Sequence, residues 1–103
     1  MIVTSGGPSA AAAKQATSAI PIIVANAGDV VETGLVSSLA RPAGNISGVN
    51  DPAAVLSAKQ FEILKEVLPS AKRVAVLWNA SDNAMTLRYR QIEKAADVLR
   101  MSI

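Results

Sequence analysis

The chain has 103 residues, 50% of them hydrophobic, 17% charged, with a formal net charge of +2. That length sets a prior of one domain at most, and 19 of the apolar residues are alanines, so large aliphatic side chains suffice only for a modest core. The composition is too apolar for a disordered chain and too lightly charged for a coiled coil, and no basic cluster implies nucleic acid.

The sequence holds no Cys and no His. This excludes disulfides, thiol nucleophiles, thiolate zinc sites, a Ser-His-Asp triad and a His general base. The longest uncharged stretch, Gln15 to Gly28, has 14 residues with several polar ones, too short and too polar to span a bilayer. The N-terminal run Met-Ile-Val-Thr-Ser-Gly-Gly has no positive n-region and no apolar h-region, so no signal peptide is expected in this chain.

In chain order, Ile2–Thr4 reads as a short strand, and Ser5-Gly6-Gly7-Pro8 as a turn whose proline suits the first turn of a helix. A helix is expected from Ser9 to Thr17. Ile20–Ala25 is an aliphatic run that reads as a strand buried on both faces. Asn26–Asp29 is a turn. Val30–Ala40 reads as one or two helical turns with Leu35, Val36 and Leu39 inward, stopped by Arg41-Pro42-Ala43-Gly44-Asn45.

Ile46–Val49 reads as a strand and Asn50-Asp51-Pro52 as a turn or linker. Ser57–Leu68 is an amphipathic helix, with Phe61, Leu64 and Leu68 as its inward stripe, widened by Ile63 and Val67. Arg73–Trp78 reads as a further strand. Asn79–Asn83 is a polar turn with Ser81 and Asp82 as capping candidates. Ala84–Arg100 is the longest helix, with Met85, Tyr89, Ile92, Ala96 and Leu99 inward, and Met101–Ile103 begins another strand. Aliphatic strands alternating with helices predict an α/β fold, a Rossmann-like parallel sheet of βαβ units. Strands clipped at both chain ends suggest an excerpt of something larger.

Chemistry is expected where turns follow the C-terminal ends of parallel strands. At Ser5–Pro8, Gly6 and Gly7 leave the backbone uncovered and a helix start supplies free N–H groups, a place that suits a carboxylate or phosphate; a plain glycine turn is the alternative. Neither GxGxxG nor the Walker pattern is present. Asp29 can hold a ligand amine or cap the segment from Val30. Asn79 can bond a ligand or form a turn, and Trp78 can wall a pocket or sit in a core. Arg41 is a ligand clamp or a cation at a helix C-terminus. Glu62, Lys65, Glu93 and Lys94 read as solvated helix faces. No carboxylate pair or tuned lysine forms a catalytic constellation, and Ser5 and Ser81 lack a base, so no enzyme and no cofactor are expected.

The stretch from Gly34 to Val49, GLVSSLARPAGNISGV, resembles the pattern GLVxSLARPGGNxTGV of a family of ABC transporter substrate-binding proteins that includes tryptophan- and tyrosine-linked uptake members. Pro8 to Thr17 is similar to its TPAAxAAKxAT, Ile20 to Asp29 to its IPIVFAxxGDP, and Gln60 to Asn79 to its LELLKExxPxxxRVAVLWN. Gly7 stands where the family has Thr before the proline, Val30 and Ala80 where it has prolines, and Ala43 where it has the second Gly of RPGGN.

The resemblance implies a two-lobed type I periplasmic binding fold with ligand held between the lobes. Residues 1–51 would be part of the first lobe and 52–103 the start of the second, with a hinge crossing near 50–54. It implies a receptor for an amino acid or similar small organic solute, with Ser5, Gly6, Gly7, Ser9, Asn26, Asp29, Asn50, Asp51 and Asn79 at the cleft and neither cofactor nor metal. The partners implied are ABC permease subunits, and the setting is periplasmic or lipid-anchored and extracytoplasmic. The alternative is a self-standing α/β interaction module that pairs as a homodimer through open edges at Ile2–Thr4 and Met101–Ile103.

Overall fold

The computed structural model describes residues 1–42 and 44–103; the proposed stop at 41–45 therefore includes one position, Ala43, that lies outside the described residues. The chain divides into two compact units, Met1–Pro52 and Ala53–Ile103.

In the first unit, β1 (Ile2–Thr4) leads into α1 (Gly7–Ala16), then β2 (Ile22–Val24) and β3 (Ile46–Gly48). All three strands are parallel in the order β1-β2-β3, with Thr4, Val24 and Gly48 in register at their C-terminal ends. α1 forms because Pro8 presets its first turn and alanines follow, which cost little side-chain entropy in a helix. The same alanines let it lie close to the sheet: Ala10 is fully buried against Ile22, Val24 and Ile46, with Ala11 and Ala13 packed beside it. Thr17 ends the helix in extended backbone, and its hydroxyl accepts from the amides of Ala19 and Ile20 at 3.2 Å.

β2 is shorter than the aliphatic run suggests. Ile20 is exposed and lies outside the strand; within it Ile22 and Val24 are buried and Ile23 is half-buried, so one face is fully covered and the other only partly. No helix forms in 30–40. The segment is a series of turns that buries Leu35 and Val36 and leaves Leu39 59% exposed. Arg41 accordingly has no preceding helix whose C-terminus it could stabilise.

The second unit is built on α2 (Ala53–Val67) and α3 (Asn83–Val98), which pack against each other. α2 starts four residues earlier than its periodicity predicts. Its buried face is Ala54, Ser57 and Phe61 with Leu64 half-buried, whereas Ile63, Val67 and Leu68 face outward. Lys65 is not simply solvated, since its ammonium donates to the carbonyls of Pro69 and Ala71 at 2.8 Å, the position where the helix dipole favours a cation. Asp82 caps α3 by accepting from the amides of Ala84 and Met85. The core joins Phe61, Ala95, Ala96 and Met101.

Residues 73–78 do not form the expected strand. Only Arg73 pairs, in a parallel bridge with Ser102, and Leu77 is fully exposed. A buried strand needs ladder partners along its length, and among the described residues Ser102 is the one that supplies a bridge. No helix among the described residues is long and apolar enough to cross a membrane.

Candidate functional site

In-register parallel strands place every following turn on the same edge of the sheet. The turns after β1, β2 and β3 thereby bring together Ser5, Gly6, Gly7 and Ser9, then Asn26 and Asp29, then Asn50 and Asp51. Hydrogen bonds stitch these turns to one another. The Gly6 amide donates to the Asn26 carbonyl. The Asp51 amide donates to the Gly28 carbonyl at 3.2 Å. Asn79 belongs to the second unit and is described there.

The Ser5–Ser9 turn presents backbone rather than side-chain donors. Gly6 caps α1 with φ 91° and ψ 151°, a conformation that L side chains rarely adopt. The first-turn amides of Gly7 and Ser9 lie outside the helix's own ladder, and Pro8 has none. The Ser9 hydroxyl proton is directed back to the carbonyls of Ser5 at 2.6 Å and Gly6 at 3.0 Å. Ser9 therefore offers an incoming anion its amide, not its hydroxyl.

Asp29 does cap the segment from Val30. Its Oδ1 accepts from the amides of Val31 and Glu32, both at 2.9 Å, while its Oδ2 accepts from Asn50 Nδ2 at 3.3 Å. Chiefly the Glu32 amide, with help from Asn50 and Val31 and against a desolvation cost, holds this carboxyl below its usual pKa. A carboxylate has about four acceptor positions, so Oδ2 retains capacity for a cation. Asn26 exposes its side chain and uses its carbonyl for Gly6.

Beneath Asn50 lies a small cleft of about 80 Å³ lined by Val24, Val30, Val36, Gly48 and Asn50. A larger open depression, about 500 Å³, lies beside Lys14, Thr17, Ser37 and Asn45, at the opposite ends of the strands. The smaller cleft is the one that adjoins the turns carrying polar groups.

In the second unit, Asn79 Oδ1 accepts from the Ser81 amide at 3.0 Å, which is the turn-forming role. Trp78 is neither at a strand end nor in a core. It is partly exposed and stacked on Tyr89, with ring centroids 3.8 Å apart and planes inclined by 11°. The arrangement missed from sequence is the use of both ends of the Asn50 amide on the 29–30 turn; a contact across 20 positions leaves no local pattern.

All of residues 1–103 match the family described as ABC transporter substrate binding protein. A tyrosine-binding protein of Clostridioides difficile (strain R20291) is 45% identical over 75 residues, 73% of this chain and 21% of that protein. Among solved structures, an ABC domain from Streptococcus pneumonia in complex with L-Trp aligns at TM-score 0.85 and 25% identity, covering 99% of this chain and 34% of that one. A conserved domain protein from Vibrio cholerae aligns at TM-score 0.85 and 27% identity, covering 97% and 33%. The ligand-free, open structure of a substrate-binding protein with adhesive properties from Clostridium difficile aligns at TM-score 0.58 and 33% identity, covering 99% and 34%. The chain thus spans between a fifth and a third of the length of these proteins.

Proposed function

This chain belongs to the family of ABC transporter substrate-binding proteins, and from that premise we propose that it is part of a receptor that captures an amino acid or similar small zwitterion. The observation that carries this reading is the shared sheet edge, where first-turn amides of α1 and the Asp29 carboxylate stand on adjacent turns. The amides of Gly7 and Ser9 suit a solute carboxylate. The free capacity of Asp29 Oδ2 suits an ammonium group. Gly6, Asn26, Asn50 and Asp51 shape the same edge, and Asn79 is a contribution from the second unit.

In this reading residues 1–51 are part of one lobe and 52–103 the start of another, with the hinge near 50–54. Capture would close the lobes on the solute and present the closed form to permease subunits outside the cytoplasm. The tyrosine-binding and L-Trp-bound relatives support an aromatic amino acid as the first solute to try.

Titration calorimetry of this chain, and of a longer protein that carries it, with L-tyrosine and L-tryptophan tests the reading. Saturable binding that Asp29→Ala weakens more than tenfold, about 1.4 kcal/mol, is expected. An unchanged dissociation constant in that variant removes Asp29 from the site.

A second reading rests on β1, an edge strand of the described sheet whose Val3 is 64% exposed. Two copies could pair along it. Sedimentation showing only monomer across a range of concentrations would remove that reading.

A further inference from the structure

The chain leaving β3 is hydrogen-bonded back to the end of β2 and to the turn that follows it. The Val49 amide donates to the Val24 carbonyl at 2.9 Å, and the Asp51 amide to the Gly28 carbonyl at 3.2 Å. Between them Asn50 spends both ends of its amide on adjacent residues: Oδ1 accepts from the Val30 amide at 2.9 Å, and Nδ2 donates to Asp29 Oδ2 at 3.3 Å. The boundary between the two units follows directly, after Pro52.

The primary amide makes this pair of bonds by using its oxygen as acceptor and its nitrogen as donor. Aspartate would keep the acceptor for Val30 but lose the donor and face Asp29 with a like charge. Alanine would lose both. We propose that Asn50 is a positioning residue: it holds the Asp29 carboxylate with Oδ1 toward the backbone amides and Oδ2 outward, and it pins to that carboxylate the segment leading out of the first unit. This rests on the reading of Asp29 as the anchor for a solute's cationic group. A solute ammonium on Oδ2 then shares its acceptor with Asn50 and sits directly against the pinned segment.

The test needs no solute for its first two readouts. In Asn50→Ala, the backbone amides of Val30 and Asp51 should exchange with solvent at least tenfold faster. In both Asn50→Ala and Asn50→Asp, the Asp29 carboxyl, followed by its carbon-13 shift against pH, should titrate at higher pH than in the parent. The charged residue nearest Asp29 along the chain is Glu32 and the one nearest Asn50 is Asp51, so Glu32→Gln serves as a control that leaves Asn50 in place. A general loss of stability would not move the folded-state titration of Asp29, and Asn50→Asp keeps the Val30 bond should the alanine variant fail to fold. Unchanged exchange and an unchanged Asp29 midpoint overturn the proposal. Calorimetry with L-tryptophan adds a third readout, in which Asn50→Ala should bind at least threefold more weakly. If the parent binds neither L-tryptophan nor L-tyrosine, the reading of an aromatic amino acid fails while the two solute-free measurements still decide the role of Asn50.

Discussion

Gly48 meets the backbone of Val24 so closely that a Cβ built on it would lie 2.1 Å from the Val24 carbonyl oxygen and 2.8 Å from its carbonyl carbon. The neighbours are main-chain atoms of a paired strand, which cannot rotate aside. Val24 and Gly48 are also register partners at the edge that carries the candidate site. Gly48→Ala should therefore destabilise the first unit by more than about 2 kcal/mol, the range for a substitution that forces backbone strain. Gly34 at φ 74° has no atom within 4 Å of such a Cβ, so Gly34→Ala should cost only about 1 kcal/mol, the penalty for positive φ alone. Denaturant unfolding followed by far-UV circular dichroism compares them; equal losses would refute the contact argument.

Asp29 makes stability depend on pH in a defined direction. Its folded pKa lies below the unfolded value because the Glu32 amide, Asn50 and the Val31 amide stabilise the charged form. A depressed carboxyl contributes stability that is present above the unfolded pKa, about 3.9. That contribution falls away as pH drops through the folded value. The stability difference between the parent and Asp29→Asn should be constant near neutrality and shrink below about pH 4. Urea titrations at several pH values measure it, and a difference that grows on acidification would contradict the sign.

Phe61 anchors the second unit. It is 5% exposed and packs with Ala95, Ala96 and Met101. Phe61→Ala should cost about 3 to 5 kcal/mol through lost burial and the cavity left behind. The single Trp, Trp78, stacks on Tyr89 in the same unit, so its emission reports this transition directly. A loss under 1 kcal/mol would mean that the two helices do not depend on this contact.

Asp82 caps α3 through one carboxylate oxygen, at 2.9 Å from the Ala84 amide and 3.4 Å from that of Met85. Asp82→Ala should destabilise the second unit by about 1 kcal/mol, with Asp82→Ser retaining most of the cap. Ser81, the other capping candidate, lies outside the helix start, and Ser81→Ala should be nearly silent. Thermal unfolding of the three variants separates them.

The parts of the fold legible in the sequence are those written in neighbouring residues. Pro8 and the alanines after it specify α1, Asp82 marks the start of α3, and Ile22 to Val24 mark a strand. Each of these depends on propensity, capping or a short apolar run, all set within a few positions. The family pattern across residues 34–49 adds the membership. The local signal misled where burial depends on partners. Leu39, Leu77 and Val67 have the right character for a core, yet 59%, 100% and 70% of each is exposed, because apolar character shows what a side chain tolerates and not what packs against it.

The site divides the same way. Sequence alone determined which residue types stand in the turns, including the glycines of the first and Asp29 in the second, and it excluded thiol and imidazole chemistry outright. Tertiary structure decided what those residues do. It turned the Ser9 hydroxyl back onto the carbonyls of Ser5 and Gly6, committed Asp29 Oδ1 to two backbone amides, joined Asn50 to Asp29 across 21 positions and left Asn79 in a separate unit. The reason is the register of three parallel strands: pairing Thr4, Val24 and Gly48 collects turns that are far apart in the chain, and hydrogen bonds between those turns form only once they are side by side.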